Sequence, residues 1–292
     1  MEGVVIPDTS LPTLYIPHGG GPCFFMEWTM GPADTWRKLA GWLAALGDSI
    51  TPAPKAVVVI SGHWEEEHFT VTSHPHPPLV YDYYGFPEHT YKIEYGAPGS
   101  PALAQRIQEL LRSAGLPTRL DPERGFDHGV FIPFKLIYPG ADIPIVQVSL
   151  KTGLDPATHL VAGVALETLR KEEILIVGSG MSYHNLREFG SGFNPVSDKF
   201  DRWLTEAVCA PDATSRSEAL RQWGLAPGAR DAHPRSEHLL PLMVAAGAGG
   251  ADLGTKVFTD RIMGTVVSGF QFGSSRSQLL KSTEGISHAN TR

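Results

Sequence analysis

Four short apolar runs, each bounded by Pro, Gly or other turn residues, stand out in the pattern of hydrophobic and polar positions. The two clearest are residues 56–60 (AVVVI) and 174–177 (ILIV), and residues 14–16 (LYI) and 143–150 (IPIVQVSL) have the same character. Apolar runs of this length, with β-branched residues among them, are typical of strands that are buried on both faces of a parallel sheet. The pattern therefore predicts four buried strands.

Segments with helical periodicity alternate with these runs and cover residues 34–46, 101–114, 159–171 and 200–208. The second segment has a clear start signal, because serine at position 100 is a good N-cap and proline suits the first helical position. Strands that alternate with helices predict an α/β fold with a central, mostly parallel β-sheet and helices on both faces.

The chain shows no linker, internal repeat or low-complexity block, so we expect a single domain over residues 1–273. Residues 74–101 are rich in Pro, Gly and aromatic side chains, and we expect a long ordered loop or a small antiparallel excursion there. Residues 274–292 are polar and aperiodic and are expected to form a flexible C-terminal tail.

The composition is typical of a globular protein and argues against nucleic-acid and membrane partners. The 292 residues are 42% hydrophobic and 19% charged, as in a globular protein. The net charge is −7 and no Lys/Arg cluster interrupts it, so nucleic acid is not an expected partner. No apolar run reaches the roughly 20 residues of a membrane span, and the first residues lack a secretory signal pattern. Two cysteines without a CxxC pair fit a cytoplasmic protein.

Histidines follow three of the predicted strands. His18 comes after the first strand, His63 after the second, and His184 after the strand at residues 174–177, each close to glycine. In open α/β sheets, ligands bind outside the carboxyl ends of the strands. We therefore expect the three imidazoles, and with them the active site, at this edge of the sheet.

Two further histidines are candidates for the same site. His128 lies within residues 125–129 (GFDHG), and His238 precedes the apolar helical run at residues 239–246, with Ser236 as the expected N-cap. Convergent neutral imidazoles are the usual ligands of Fe, Zn, Cu or Ni, and a centre with three protein ligands leaves positions open for substrate. The remaining histidines are interpreted as surface or loop residues: His68, His74, His76, His89, His159, His233 and His288.

Other catalytic motifs fit less well. Residues 18–21 (HGGG) resemble the oxyanion loop of esterases, but the chain has no G-x-S-x-G nucleophile elbow. It also lacks the Gly-Lys-Ser/Thr of a phosphate-binding loop and a G-x-G-x-x-G after the first strand. Cys23 is close to His18 in sequence, and we interpret it as a small buried side chain rather than a nucleophile.

Seven short blocks follow one another along the chain: residues 17–22 (PHGGGP), 61–64 (SGHW), 84–87 (YGFP), 97–101 (APGSP), 125–129 (GFDHG), 184–186 (HNL) and 237–242 (EHLLPL). Each block is weak by itself, but the ordered set resembles the class III (LigB-type) extradiol ring-cleaving dioxygenases, in particular the DOPA dioxygenase-like branch. The resemblance covers residues 11–269, nearly the whole chain. Residues 81–83 (YDY) stand where many relatives have His-Asp-Phe, in a loop that the resemblance places near substrate.

The resemblance implies a mononuclear non-haem Fe(II) enzyme that uses O₂ to open a catechol ring beside its two hydroxyl groups. His18 and His63 match the two histidine ligands of the family. His238 matches the third ligand, with Glu237 as the alternative.

The resemblance also assigns roles to two pocket histidines. His184 matches the acid/base histidine of the family, which some members also bring to the metal. His128 matches a second pocket histidine that hydrogen-bonds substrate or oxygen.

Two other functions remain as alternatives. The same ligands bind Zn(II), which can replace iron during purification and would support a zinc-dependent hydrolase. A non-enzymatic binding protein can also share this fold, although here all the candidate ligand positions are filled. The expected partners are a catechol-type substrate and O₂. A homodimer is left open, because Trp28, Trp36 and Trp42 fit either a core or a dimer face.

Overall fold

The four apolar runs form the centre of one eight-stranded sheet in the computed structural model, which describes residues 10–190 and 192–274. The strands are β1 (Thr13–Pro17), β2 (Ala56–Glu66), β3 (Phe69–Thr72), β4 (Thr118–Asp121), β5 (Ile145–Lys151), β6 (Ile174–Gly180), β7 (Gly254–Ile262) and β8 (Thr265–Phe272). Their order across the sheet is β4-β3-β5-β2-β6-β1-β8-β7.

The predicted fold class is confirmed. The adjacent strands β5, β2, β6 and β1 are the four that the apolar runs predict, and they run parallel to one another. The sequence did not predict the four outer strands. Of these, β3 and β8 run antiparallel to their inner neighbours. The sheet is therefore parallel at its centre and mixed towards its edges.

Helices cover both faces of the sheet. They are α1 (Arg37–Ser49), α2 (Pro101–Ser113), α3 (His128–Ile137), α4 (Pro156–Leu166), α5 (Pro195–Val208), α6 (Ala213–Arg221), α7 (Ala229–Ala232) and α8 (Leu240–Ala248). Side chains of β2 alternate between two cores, as the period of a strand requires. Val57 and Val59 pack with Leu39 of α1 on one face, and Val58 packs with Leu160 of α4 on the other.

Two helices begin earlier than their periodicity predicts. The helix expected over residues 159–171 begins at Pro156, and the one expected over residues 200–208 begins at Pro195. Asp155 and Asn194 cap these helices with their side chains, each directly before the proline. The cap and the proline define the start of each helix. The apolar periodicity becomes visible only in the following turns.

Strand β2 continues beyond the predicted end at Ile60 and carries His63 within it. Its register with β5 shifts between Ile60 and Glu65, where β2 advances further than its partner and forms a bulge. The hydroxyl of Ser61 accepts a hydrogen bond from the His63 amide at 3.2 Å and donates one to Asp127 at 2.7 Å. The bulge therefore interrupts the regular alternation of side chains along β2 at His63, and the two Ser61 hydrogen bonds hold the backbone in that conformation.

The long segment at residues 74–100 contains a 3₁₀ turn at Glu88–Lys92 and one isolated bridge, as expected of a long loop rather than an antiparallel excursion. The predicted tail at residues 274–292 lies outside the described residues, apart from Ser274. Within the described residues, none of the helices combines the length and the apolar character needed to cross a membrane.

Helices α4 and α8 pack with their backbones in direct contact. A Cβ atom added at Gly163 would collide with the carbonyl oxygen of Val244, and one added at Gly247 would collide with that of Leu160. This contact fixes the position of α8, and with it the turn that precedes α8.

We expect Gly163→Ala to lower the free energy of unfolding by about 1–3 kcal/mol, because the added methyl group must push the two helices apart. Urea unfolding measures this difference. Gly41→Ala on α1 is the matched control, since no atom lies within 4 Å of its added Cβ. That variant should be unchanged or more stable by about 0.5–1 kcal/mol. Equal stability of the two variants would contradict the close packing.

Candidate metal centre

Three histidine side chains converge at the carboxyl edge of the central strands. His18 directly follows β1, His63 lies in the bulged part of β2, and His238 lies in the turn before α8. The Nε2 atom of His63 lies 3.2 Å from that of His18 and 3.1 Å from that of His238. Three separate segments of the chain thus present the same ring nitrogen to one point.

The backbone of His238 is held against the end of the sheet. Its carbonyl oxygen accepts hydrogen bonds from the Tyr15 hydroxyl at 2.7 Å and from the Met181 amide at 3.1 Å. A Cβ atom added at Gly180 would collide with this oxygen, so the close approach requires glycine there. These contacts fix the turn that carries His238 relative to β1 and β6.

The expected N-cap at Ser236 is wrong. Helix α8 begins at Leu240, and the Ser236 side chain makes no cap bond. Its carbonyl oxygen instead accepts hydrogen bonds from the amides of Leu239 and Leu240. Pro241 lies in the first turn of the helix, where its missing amide leaves no bond unsatisfied and fixes the start. His238 is consequently in a turn rather than on a helical face.

The chemistry of the three imidazoles fits a divalent transition metal. Burial, together with the neighbouring imidazoles, holds the pKa of His18, His63 and His238 well below the ordinary histidine value. The three rings are therefore neutral near pH 7, which is the form that binds a metal. Two ligands at right angles, each about 2.1 Å from one ion, are about 3 Å apart, close to the spacing found here.

Glu237 lies behind two of the rings. Its Oε1 atom accepts a hydrogen bond from His238 Nδ1 at 2.9 Å and lies 3.4 Å from His184 Nδ1. Burial opposes ionisation of this carboxyl group, but His184, a backbone amide and Arg235 together outweigh it and lower the Glu237 pKa. The His184 ring stacks on that of His238 with centroids 3.4 Å apart. One carboxylate therefore orients two imidazoles.

Asp82 contacts a second pair of rings, those of His128 and His63, as Glu237 contacts His238 and His184. The sequence alone did not identify Asp82 as a site residue. Its carboxylate accepts hydrogen bonds from His128 Nδ1 at 2.7 Å and from the His128 amide at 2.9 Å, and it lies 3.6 Å from His63 Nδ1. Burial opposes ionisation, but the hydrogen bond with His128 lowers the Asp82 pKa. The only sequence signal was its place within residues 81–83, where the chain departs from many relatives.

A cavity of about 790 Å³ opens above these side chains. All five candidate histidines line it, together with the glycines that follow His18. Aromatic and methionine side chains form most of the remaining wall. The site therefore combines three imidazoles that fit a metal ion with enough space for an organic substrate.

Two of the histidines interpreted as surface or loop residues are buried: His159 lies on α4, and His233 lies in the loop after α7. His159 on α4 bonds the Asp155 carbonyl oxygen through Nδ1 and accepts from the Lys151 amide through Nε2. His233 bonds the carbonyl oxygen of Ser182. Backbone groups bond both ring nitrogens of His159 but only Nε2 of His233, whose Nδ1 atom has no hydrogen-bond partner among the described residues. Burial lowers the pKa of both histidines, so both rings are neutral. His288 lies outside the described residues.

Cys23 and three tryptophans, Trp28, Trp36 and Trp42, pack in or against the same hydrophobic core. Cys23 is buried, and desolvation raises its thiol pKa, as expected of a small core residue rather than a nucleophile. Trp28 and Trp36 are buried in the core, with ring centroids 5.4 Å apart. Trp42 is partly buried and packs against Phe258. These rings are therefore packed within the chain.

Comparison with known proteins identifies the family. The family described as the catalytic LigB subunit of aromatic ring-opening dioxygenase matches residues 12–271. The chain belongs to this family. It is therefore an enzyme of the extradiol type, which opens an aromatic ring, and the resemblance stated from the sequence is confirmed. The comparison supports neither the zinc hydrolase nor the non-enzymatic alternative.

Similar proteins agree with this assignment. The 4,5-DOPA dioxygenase extradiol of Beta vulgaris is 41% identical over 201 residues, covering 68% of this chain and 74% of that protein. The protein of the same name from Escherichia coli K12 is 36% identical over 85% of this chain and 89% of its own length. Dioxygenase tasH of Hapsidospora irregularis is 35% identical over 90% of this chain and 86% of its own length.

A solved structure shares the fold. The crystal structure of an uncharacterised protein from Escherichia coli K12 superposes with a TM-score of 0.71 at 31% sequence identity. The match covers 90% of this chain and 100% of that one.

Proposed function

We propose that this protein is a non-haem Fe(II) dioxygenase that inserts both atoms of O₂ into a catechol-type ring, with His18, His63 and His238 as the iron ligands. The observation that carries the proposal is the convergence of three neutral Nε2 atoms below a cavity of substrate size. Iron bound there would hold the catechol by its oxygens and activate O₂ beside it. The same ligands also bind zinc, so metal content alone does not identify the active metal.

His238, rather than Glu237, is proposed as the third ligand. The Nε2 atom of His238 faces the other two imidazoles, whereas Glu237 contacts the opposite edge of the same ring at Nδ1. A carboxylate in this position fixes the tautomer and orientation of a ligating histidine, a common arrangement around metals. Asp82 has the corresponding position near Nδ1 of His63.

His184 is proposed as the acid/base residue. A catechol loses its hydroxyl protons when it binds as a catecholate, and ring opening needs a proton returned. Imidazole gains and loses a proton near neutral pH, so one side chain can do both. The His184 ring lines the cavity, and its Nδ1 faces Glu237, which leaves Nε2 as the nitrogen for substrate.

His128 is proposed to hydrogen-bond the substrate or oxygen. Asp82 holds its Nδ1 atom and its backbone amide, so the ring has a fixed direction. Its centroid lies 3.9 Å from that of His63, at the wall of the same cavity. The Nε2 atom is then the one available to a reactant.

We expect Glu237→Gln to keep the metal but to weaken its binding by about 10–100-fold, because the amide orients His238 less well than a carboxylate does. Equilibrium dialysis followed by elemental analysis measures the change. Glu65→Gln is a matched control, because Glu65 and Glu237 both form an ion pair with Arg235. The Glu65→Gln variant should bind metal normally. If Glu237 were the third ligand, the Gln variant would lose metal as completely as a variant at His18.

Oxygen uptake tests the reaction directly. Protein loaded with Fe(II) under anaerobic conditions should consume one O₂ per catechol and form a ring-opened product with a new absorption band. Metal-free protein and zinc-loaded protein are the controls. Uptake by the zinc form equal to that of the iron form would contradict the proposal.

A further inference from the structure

The mouth of the active-site cavity is apolar and open to solvent. Met30, Tyr84 and Leu186 all line the cavity, yet they are 54%, 91% and 71% exposed. Phe86 and Phe189 continue the apolar surface inward. Large hydrophobic side chains exposed together at one site, rather than scattered singly, mark a surface that contacts something else.

The cavity has no cationic partner for a substrate carboxylate apart from its histidines. Among the described residues, its lining contains one carboxylate, Asp82, and neither lysine nor arginine. The arginines of the surrounding network have other partners. Arg235 pairs with Glu65, and Arg124 lies 3.6 Å from Asp127 and over the ring of Trp64.

The cavity is also larger than a catechol ring requires. Its volume of about 790 Å³ lies in the upper part of the roughly 300–1,000 Å³ found for pockets that hold drug-sized ligands. A ring placed at His18, His63 and His238 would leave the space towards Met30 and Leu186 for a ring substituent. The properties of that space therefore decide which catechols fit.

We propose that the substrate is a catechol with an uncharged, apolar ring substituent that reaches the rim formed by Met30, Tyr84 and Leu186. This inference rests on the proposed function. An apolar substituent gains from leaving water, roughly in proportion to the area it buries. A carboxylate in the same place would lose hydration without gaining a cation, close to the negative charge of Asp82. DOPA, for which several relatives are named, carries such a carboxylate.

Matched substrates test the inference. 3-(3,4-Dihydroxyphenyl)propionate and its methyl ester differ mainly in charge, and 4-methylcatechol and 4-butylcatechol differ only in apolar length. We expect the ester to exceed the acid in kcat/KM by about tenfold or more, and butyl to exceed methyl by a similar factor. If the acid or DOPA is turned over as well as the ester, the inference is wrong.

Binding separates this inference from the proposed chemistry. Calorimetric titration of the zinc-loaded protein with the same compounds needs no turnover and should show the same order of dissociation constants. Preferential binding of ester and butyl compounds without turnover of any catechol by the iron form would support the apolar site and contradict the proposed reaction. Equal binding of acid and ester would overturn the inference, whatever the turnover.

A charge placed at the rim should reverse the preference. We expect Leu186→Lys to tighten binding of the acid by about tenfold, because it supplies the missing cation. Leu253→Lys is the control, since Leu253 is 56% exposed and does not line the cavity. Arg187→Gln should leave binding of the acid unchanged, because Arg187 is not part of the cavity lining. Weaker binding of the acid by Arg187→Gln would contradict the inference.

Discussion

His18→Ala is expected to abolish metal binding and to reduce turnover to background. Its Nε2 atom lies 3.2 Å from that of His63, and burial keeps the ring neutral. Removing it leaves two imidazoles, which hold a divalent ion far more weakly than three. The loss of metal affinity should exceed about 10–100-fold, which is the usual cost of removing a residue that only hydrogen-bonds a ligand. His63→Ala should behave in the same way, because its Nε2 atom lies 3.2 Å from that of His18 and 3.1 Å from that of His238.

Elemental analysis of protein loaded with Fe(II) and passed through a desalting column measures this effect. His159→Ala is a matched control, because it removes another fully buried imidazole, one bonded only to backbone groups. It should lose stability but keep one metal ion per chain. Circular dichroism must show that each variant is folded. A folded His18→Ala protein with normal metal content would remove His18 from the ligand set.

His184→Ala is expected to keep its metal and to lose about 10²–10⁴ in kcat, the usual contribution of a positioned acid/base group. The His184 ring stacks on His238 and contacts Glu237, but it is not one of the three rings whose Nε2 atoms converge. The variant therefore loses proton transfer rather than the centre itself. Rapid-mixing kinetics under single turnover measures the chemical step without interference from product release.

Metal content and rescue distinguish the possible roles of His184. Added imidazole should restore part of the activity of the alanine variant, because it can occupy the vacated space and exchange protons. His76→Ala, at an exposed histidine away from the cavity, should have normal kcat. Loss of metal from His184→Ala would make His184 a fourth ligand and would contradict its assignment as acid and base alone.

The central strands were predictable because burial on both faces leaves an uninterrupted apolar run in the sequence. The outer strand β4 (TRLD) was not, because it is short and mostly polar and pairs with β3 across a connection that includes the long loop and α2. Helix α3 was missed for a different reason. It is buried along most of its length, including Pro133, so it shows no polar face.

The site residues that could be predicted are those that come soon after a strand in the sequence, because the carboxyl ends of parallel strands meet at one edge of the sheet. His18 and His184 do so, and His63 was found although β2 continues past it in a bulge. Asp82 was not found, because its bond to His128 joins positions 46 residues apart through a loop without periodicity. His159 and His233 were interpreted as surface or loop residues, because the sequence does not show that their rings are buried and bonded to backbone carbonyl groups.

The most direct test of the central claim is turnover of a catechol under ¹⁸O₂ by protein loaded with Fe(II). The product is reduced with borohydride at once, so that its carbonyl oxygen cannot exchange with water, and is then analysed by mass spectrometry. We expect a ring-opened product that carries two ¹⁸O atoms from a single O₂, cleaved beside the diol rather than between its hydroxyl groups. A product with one labelled atom or none, or cleavage between the hydroxyls, would contradict an extradiol dioxygenase at this centre.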